Sequence, residues 1–367
     1  MLSDRKIKQY FPNHSNRVYV DTPSLGLISN SGVDKMNQFM GSLHRDGSIR
    51  SEAFLQVDLP RIRKKIGSFV DAELEEVALI PNFSFGINAL IPVLKKYRNV
   101  LLLEGDYPSL TQPFMLNDFD ITWIYSQDGF YFDLNRIQET IEKKSIKVVA
   151  LSEVQYLTGF RMDIEALGEI CKKNGALLIV DGTQSLGAVP YSFQRSAADI
   201  YIASNYKWMN AGFGTGIMLL KSDFLASHEP MIGGFGSFIQ KDGEWKYAPS
   251  IASYEPGHLN FGGYLVLEDA MDFKSTLGIE NIFQHNKALT DLLLRALHQL
   301  KIEVIGPYEN KNRSSIVCLK DDVKIRSVLK KHNVVFKTRN DAIRLGLHFH
   351  NTERDIQKII TALGTVR

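Results

Sequence analysis

The sequence has little of several features that would place a protein in a functional class at once. It has only two cysteines in 367 residues, Cys171 and Cys318, in unrelated segments with no partnering histidine pattern, so neither a disulfide framework nor a zinc site is expected. Its formal net charge is only +2, with acids and bases mixed along the chain, which disfavours a nucleic-acid-binding face. No apolar run approaches the roughly 20 residues that span a bilayer. These absences predict a cytoplasmic globular protein with no metal, membrane or nucleic-acid partner.

Short β-branched runs alternate with amphipathic patterns through the middle of the chain. The candidate strands are residues 77–80, 100–103, 121–125, 148–151, 177–180, 200–203 and 217–220. Several of them are apolar on both faces, as the strands of a covered parallel sheet must be. Helical patterns at 133–144 and 163–173 each open on an aspartate suited to an N-cap. The alternation predicts an α/β domain around a mostly parallel seven-stranded sheet.

The last third of the chain has a different pattern. A long helical pattern at 279–300 precedes candidate strands at 302–304, 315–319 and 344–347, and further helices are expected at 323–331 and after the cap-like Asn351. This pattern predicts a smaller α+β unit. The predicted division is an N-terminal arm at 1–30 that packs with the small domain, a large α/β domain at 31–262, and a long helix with the small domain at 263–367.

Polar residues follow three of the candidate strands, at the edge where open parallel sheets bind ligands. Ser84 opens a helix, where a hydroxyl and free N–H groups favour a phosphate, although an ordinary N-cap is the alternative. Asp181 ends an apolar strand, so it either needs a cationic partner, such as a protonated pyridine nitrogen, or caps a following helix. Lys207 lies between Tyr206 and Trp208, an apolar setting that would depress the pKa of its amine, although a snorkelling lysine is the alternative.

Two separated motifs resemble the class V aminotransferase family, which includes cysteine desulfurases, kynureninase and isopenicillin-N epimerase-like enzymes. Residues 180–187 read VDGTQSLG and residues 204–208 read SNYKW, and they agree with the family in order, spacing and strand context. The similarity extends from Tyr19 to Asn351, nearly the whole chain. It implies a fold-type I transferase fold, a pyridoxal 5′-phosphate (PLP) cofactor, and a homodimer whose active site is shared across the interface.

The resemblance also implies a role for each residue that matches a family motif. Lys207 would carry PLP as a Schiff base and move the substrate α-proton, and Asp181 would pair with the pyridine nitrogen. Tyr107 would stack on the ring, and Arg344, with Ser24, would bind the substrate, the arginine clamping its α-carboxylate. The other implied PLP contacts are the Phe83 backbone, Ser84 and Ser204 at the phosphate, Gln184 at the ring hydroxyl, Glu153, Gln155 and Tyr206 nearby, and His258 and Asn260 from the neighbouring subunit.

Two departures from the family pattern bear on function. Desulfurases carry a cysteine on the loop before the carboxylate arginine, and residues 336–343 contain none. Glu153 stands where the family commonly has asparagine, which puts a carboxylate beside the ring hydroxyl unless Gln155 takes that place. For Arg344, the alternative to binding a substrate carboxylate is an ion pair with a distant glutamate such as Glu255.

The leading function on this basis is an aminotransferase that acts on a small α-amino acid through an external aldimine, with a 2-oxo acid as candidate acceptor. A lyase or epimerase with the same residues is the rival, including selenocysteine-lyase or desulfurase-like β-elimination. A PLP-fold binding protein without turnover is a further alternative. A nicotinamide oxidoreductase is disfavoured, because the glycine run at 212–216 precedes a strand instead of following one into a helix.

Overall fold

The computed structural model describes residue 7 and residues 9–11, 16–248, 250–309 and 312–366. Much of the predicted arm at 1–30, namely residues 1–6, 8 and 12–15, therefore lies outside the described residues, and the three-domain division remains a prediction. Among the described residues, no helix combines the length and the apolar character needed to cross a bilayer.

The fold is centred on a seven-stranded sheet. Its strands are β2 (Val77–Ile80), β3 (Asn99–Leu103), β4 (Asp120–Ile124), β5 (Val148–Ser152), β6 (Leu177–Asp181), β7 (Ile200–Ser204) and β8 (Gly216–Leu220). Their order is β2-β8-β7-β6-β5-β3-β4, with β8 antiparallel to both neighbours and the other pairs parallel. The predicted mostly parallel α/β fold is confirmed, and for the seven strands of this sheet each predicted end lies within one residue of the observed end.

Side chains of the sheet alternate between two apolar layers. Val149 and Val180 belong to the layer on one face, and Val148 and Ile179 belong to the layer on the other. All four are fully buried, which explains why these strands are continuous apolar runs in the sequence. The α-helices of this part of the chain are Asn30–Asp46, Ser48–Ala53, Leu59–Val70, Phe83–Leu94, Pro108–Met115, Leu134–Lys144, Ile164–Lys173, Ser222–Ser227 and Phe261–Leu277.

Two helices begin at the aspartates that the sequence pattern selects. The Asp133 side chain accepts a hydrogen bond from the Asn135 N–H, and the Asp163 side chain accepts one from the Ala166 N–H. Each carboxylate therefore satisfies a backbone donor that the first helical turn leaves without a partner. The glycine-rich stretch at 232–263 contains a hairpin of β9 (Phe238–Lys241) and β10 (Glu244–Tyr247).

A smaller antiparallel sheet lies in the last third of the chain, in the order β11-β14-β13, formed by β11 (Ile316–Lys320), β13 (Lys337–Arg339) and β14 (Ala342–Gly346). Its helices are Ile279–Gln299, Val323–Lys331 and Glu353–Leu363. The predicted strand at 302–304 is wrong, because Val304 makes only an isolated bridge to Leu319 and one paired residue does not sustain a ladder. The last helix is capped by Thr352, one residue after the predicted Asn351.

The N-terminal segment joins this smaller unit through backbone pairing. β1 (Val18–Tyr19) pairs in parallel with β12 (Val334–Val335), and the Gly346 N–H donates to the Val20 carbonyl. The segment that follows β1 therefore runs along the small sheet and brings Ser24 to the end of β14.

Candidate active site

The carboxyl ends of the central strands meet at one edge of the sheet and carry polar residues. Asp181 is the last residue of β6 and pairs in register with Ser152, the last residue of β5. Ser204 ends the neighbouring strand β7, and the chain then turns to place Lys207 three residues later. A cleft of about 350 Å³ opens here, lined by Asn82, Phe83, Ser84, Tyr107, Thr183, Ser204, Tyr206, Phe213 and Gly214.

Lys207 is buried at this edge among aromatic rings. Its Nζ lies 5.3 Å from the ring centre of Tyr107 and 5.5 Å from that of Tyr206. Burial lowers the pKa of the amine to about 8, and the Arg344 charge acts in the same direction, whereas the Asp181 carboxylate opposes it. A lysine with this pKa supplies far more neutral amine near pH 7 than an exposed lysine does, and the neutral amine is the form that attacks a carbonyl.

Asp181 is buried, and burial raises its pKa to about 6, with the Thr183 hydrogen bonds and the charge of Lys207 opposing that rise. Its Oδ1 accepts a hydrogen bond from the Thr183 N–H at 2.8 Å. The alternative interpretation of Asp181 as the cap of a following helix is wrong, because residues 182–189 form turns and no helix begins there. Within the described residues no cation forms an ion pair with this carboxylate, so it can take a cationic partner from a ligand.

Asp106 is a buried acid at the same edge for which the sequence analysis predicted no role. Its carboxylate accepts hydrogen bonds from the Ser152 N–H at 2.8 Å, the Ser152 hydroxyl at 2.6 Å and the Tyr107 N–H at 2.7 Å. Asp106 thus ties the end of β3 to the end of β5 and fixes the backbone of Tyr107. Its position shortly after a predicted strand was the available signal. Thr183, whose Oγ1 accepts from the Ser204 N–H at 3.1 Å, was missed in the same way.

Glu153 and Gln155 occupy different surroundings. Glu153 accepts a hydrogen bond from the Ser185 hydroxyl, and burial raises the pKa of its carboxyl to about 7. Gln155 is buried, lies close enough to lower the pKa of the Asp106 carboxyl, and its Nε2 has no hydrogen-bond partner among the described residues. The geometry therefore favours Gln155 over Glu153 as the polar group available to a ligand at this edge.

Two of the groups that were predicted to contact the phosphate are hydrogen-bonded to each other. The Phe83 N–H donates to Ser204 Oγ at 2.8 Å, so this backbone donor is already used, whereas Ser84 is exposed at the start of its helix and lines the cleft. The ordinary-cap alternative for Ser84 is wrong, because Asn82 supplies the cap by accepting from the Phe85 N–H. Ser84 is therefore free to contact an anion at the helix start.

Gln184 links the lysine segment to the N-terminal arm. Its Oε1 accepts a hydrogen bond from the Trp208 indole at 2.8 Å, and its Nε2 donates to the Pro23 carbonyl at 3.1 Å. The side chain is buried and retains one amide hydrogen for a further acceptor. Gln184 therefore fixes the residue that follows Lys207.

Arg344 is 3% exposed and is held only by neutral acceptors. Its Nη1 donates to the Tyr156 carbonyl at 2.9 Å and its Nη2 to the Ser24 hydroxyl at 2.7 Å, while its Nε has no partner among the described residues. Burial lowers the pKa of the guanidinium. The alternative ion pair with Glu255 is wrong, because that glutamate is bound bidentately by Arg63 at 2.7 and 2.8 Å.

His258 and Asn260 lie on the exposed surface and outside the cleft of their own chain. Asn260 accepts from the Gly263 N–H at 3.0 Å, capping a helix, and donates to the Phe213 carbonyl at 3.2 Å. The His258 ring centre lies 5.9 Å from that of Phe261. A contact of His258 or Asn260 with a neighbouring subunit remains a prediction.

Neither cysteine presents an accessible thiol, although Cys318 lies opposite Arg344 in the small sheet. Cys171 and Cys318 are buried, and burial raises the pKa of each thiol to about 12. The Cys318 thiol donates to the Leu157 carbonyl. A buried thiol with a raised pKa forms little thiolate near neutral pH, so neither sulfur has the properties of a nucleophile.

The residues at this edge fit PLP. The Asp181 carboxylate lacks an ion-pair partner, and it could hold a protonated ring nitrogen. The Lys207 amine is poised to bind the aldehyde, the exposed Ser84 stands at a helix start suited to a phosphate, and the orphaned Gln155 amide can donate to a ring substituent. Within the described residues, no group of three His, Cys, Asp or Glu side chains is placed to hold a metal.

A family model described as aminotransferase class-V matches residues 18–359. A probable cysteine desulfurase from Pyrococcus abyssi is 22% identical, over 97% of this chain and 96% of its own length. An uncharacterized aminotransferase, YcbU, from Bacillus subtilis is also 22% identical over 97% of this chain and 96% of its own. The solved structure of a cystine C–S lyase with its product cysteine persulfide has a TM-score of 0.86 at 19% identity and covers 97% of this chain and 99% of that one.

Proposed function

Because the chain belongs to the class-V aminotransferase family, whose members depend on PLP, we propose that it is a PLP-dependent lyase that breaks the Cβ–S bond of a sulfur-containing α-amino acid without a cysteine nucleophile. The lyase interpretation, the rival of amino-group transfer in the sequence analysis, is favoured by relatives that include a probable cysteine desulfurase and a structural neighbour that is a C–S lyase. Amino-group transfer is kept as the second candidate.

The proposal assigns each step to a residue at the cleft. Bound PLP supplies an electron sink that acidifies the substrate Cα–H bond. Asp181 would keep the proton on the ring nitrogen, and Tyr107 would lie against the ring. Arg344 and Ser24 would receive the α-carboxylate, which orients the Cα–H bond toward Lys207. Lys207 Nζ would hold the cofactor covalently, and once substrate displaces it, the freed amine would accept the Cα proton.

The observation that carries the lyase proposal is a buried amine with a lowered pKa in a site without an accessible thiol. Lys207 has an amine pKa near 8, and both cysteine thiols are buried. A thiol nucleophile would take sulfur from Cβ and leave alanine. Without one, the Cβ–S bond breaks with its electron pair leaving on sulfur, and the remaining carbon skeleton is hydrolysed to pyruvate and ammonia. The product therefore reports whether a protein thiol takes part.

Amino-group transfer is the second candidate, because Lys207, Asp181 and Arg344 are also sufficient for it. One relative carries the name of an aminotransferase. In that reaction Lys207 Nζ would return the proton to the cofactor carbon instead of assisting loss of a β-substituent. The residues at the cleft are common to both reactions, so the products must separate them.

The test is a product analysis of the PLP-loaded protein. Incubation with L-cysteine should release pyruvate, ammonia and sulfide in equal amounts, and incubation with L-cystine should release pyruvate, ammonia and cysteine persulfide in equal amounts, with no alanine from either. Incubation of L-alanine with 2-oxoglutarate should yield no glutamate. Alanine formed from cysteine would contradict the thiol-free route. Rapid glutamate formation without sulfur release would replace the lyase proposal by amino-group transfer.

A homodimer with a shared active site and a cytoplasmic location both remain predictions. Asn260 contacts Phe213, a side chain that lines the cleft and is largely exposed. A second subunit placed against this surface would reach the entrance of the cleft, which supports the predicted sharing of the site.

A further inference from the structure

A tight hairpin places two cations on the strand next to Arg344. β13 and β14 are joined by Asn340 and Asp341, both with positive φ, 43° and 58°, as a two-residue hairpin turn requires. This turn sets the register, in which Lys337 lies opposite Arg344 and Arg339 lies opposite Ala342.

Register determines which face of the small sheet these side chains share. Residues directly opposite in an antiparallel pair point to the same face, and so do residues two apart along a strand. Lys337, Arg339 and Arg344 therefore project from one face. Ala342 of the same face packs in a cluster with Trp208, the residue after the cofactor lysine, so this face is turned toward the catalytic edge.

The charge of Arg339 reaches the catalytic groups. It acts with Arg344 to lower the pKa of the Lys207 amine and of the Tyr206 hydroxyl, whose pKa burial raises to about 12. It also lowers the pKa of Tyr156, whose carbonyl accepts from Arg344. Diagonal neighbours across an antiparallel pair lie about 7–8 Å apart, so Arg339 stands at the rim of the site, one strand away from Arg344.

Lys337, Arg339 and Arg344 have few acidic neighbours. Within the described residues, neither Arg339 nor Lys337 forms an ion pair, and both side chains are exposed. Asp21 is the acid on which their charges act, and its pKa is raised by burial and lowered by Arg344, Lys337 and Arg339. The α-carboxylate of a substrate would occupy Arg344, which leaves the exposed Arg339 and Lys337 facing solvent at the rim of the site.

We propose that the substrate carries a second anionic group at the end of its side chain, and that Arg339, with Lys337 beside it, binds this group while Arg344 holds the α-carboxylate. The proposal rests on the function proposed above, because it presumes an α-amino acid at the Lys207 edge. A guanidinium at the rim would bind a carboxylate with paired hydrogen bonds. Lys337 would add a point charge to the same field.

The test compares isosteric acids and amides at equilibrium. The visible absorbance of the PLP-loaded protein is titrated with L-aspartate against L-asparagine and with L-glutamate against L-glutamine, which requires binding but no turnover. The wild-type protein should bind one of the acids at least about tenfold more tightly than its amide. Arg339→Gln should bring that ratio close to one, and Arg339→Glu should invert it. Arg354→Gln, an exposed arginine on the last helix, is the matched control and should keep the wild-type ratio.

The outcomes separate this inference from the proposed function. A wild-type ratio near one for both pairs, or an unchanged ratio in Arg339→Gln, overturns the second anion site while leaving the enzyme assignment intact. A protein whose absorbance responds to no amino acid overturns the proposed function instead. Retention of the visible band in Arg339→Gln and Arg339→Glu shows that these variants are folded, so a lost preference then supports the site.

Discussion

Two arginines that are largely withdrawn from solvent, the half-buried Arg63 and the buried Arg344, are held in opposite ways. Arg63 is bound by both oxygens of Glu255 at 2.7 and 2.8 Å and donates to the Val77 carbonyl. The same glutamate accepts from the Leu79 N–H at 2.7 Å. The Arg63 and Glu255 charges are therefore counter-charges to each other, and their contacts with Val77 and Leu79 support strand β2.

Arg344 forms no ion pair within the described residues, although the Asp21 carboxylate lies near enough to act on its pKa. Its hydrogen bonds go to a carbonyl and a hydroxyl, and one nitrogen remains without a partner among the described residues. Burying a cation without an anion is costly, and the cost is removed when a ligand supplies the carboxylate. The comparison indicates that a paired buried charge marks the scaffold of this protein, whereas an unpaired one marks its ligand site.

Among the substitutions that distinguish the proposed ligand site from the scaffold around Arg63, the largest loss of function is expected at Lys207. Lys207→Ala should abolish the visible absorption band of the PLP-bound protein and all turnover, because no other lysine of the described residues lines the cleft to replace it. Absorbance spectra and activity assays measure this, with Lys143→Ala on an exposed helix as control. A persistent band in Lys207→Ala would remove this residue from the site.

Substitutions at the Arg63–Glu255 pair should lower the stability of the protein and leave ligand binding unchanged. Arg63→Met leaves the Glu255 carboxylate half-buried without its cation, so the free energy of unfolding should fall by about 3–5 kcal/mol. Chemical denaturation measures it. Arg98→Met, which breaks an exposed pair with Asp120, should cost no more than about 1 kcal/mol. Equal losses in the two variants would erase the distinction between buried and exposed pairs.

Arg344→Lys should act on ligand affinity. The shorter, single-point ammonium cannot reproduce the paired contact, so amino-acid affinity should fall by about 2–4 kcal/mol while the visible band remains. Titration of the cofactor absorbance with amino acids measures the change, and Arg354→Lys provides a control. Unchanged affinity would place Arg344 with Arg63 in the scaffold.

A smaller effect is expected from pH on the rate at which PLP binds to Lys207. Since the pKa of Lys207 is about 8, the neutral amine should increase about tenfold per pH unit below that value and level off above it. The rate at which the PLP-free protein recovers its visible band on addition of PLP should follow the same curve. A rate that continues to rise toward pH 10 would indicate an exposed amine.

The smallest effect should come from the cysteines. A protein with both Cys171→Ala and Cys318→Ala should keep its activity per folded molecule, because both thiols are buried with raised pKa values. Activity normalised to the cofactor absorbance measures this. Loss of turnover in a double variant that still binds PLP would require a sulfur nucleophile and overturn the thiol-free route.

The strands of the central sheet could be predicted from the sequence because their apolar pattern fits few other structures. A run such as 177–180, apolar at every position and followed by a polar residue, fits a strand buried on both faces, and β6 covers that run and ends one residue later at Asp181. The run at 302–304 looks similar but finds only one paired residue. Whether a short apolar run becomes a strand depends on a neighbour that local pattern does not reveal.

Pairing between distant residues explains the remaining errors. Arg63 and Glu255 are 192 residues apart, so nothing near Glu255 indicated that its charge was already used. The choice between Glu153 and Gln155 stayed open for a related reason, because the face on which a side chain lies after a strand ends depends on how the chain turns. Asp106, by contrast, followed β3 closely and was accessible to the same reasoning that selected Asp181.

The pairing of β1 with β12 has a consequence for how the protein is made. Synthesis proceeds from the N-terminus, and domains generally fold in that order. The central sheet can assemble as soon as β8 has left the ribosome. Val18 must wait for Val334, and Ser24 for Arg344, before their contacts can form. The nascent chain therefore passes through a stage in which the edge with Lys207 is built but Arg344 is absent, and on the roles proposed above amino-acid binding would be the last property that it acquires.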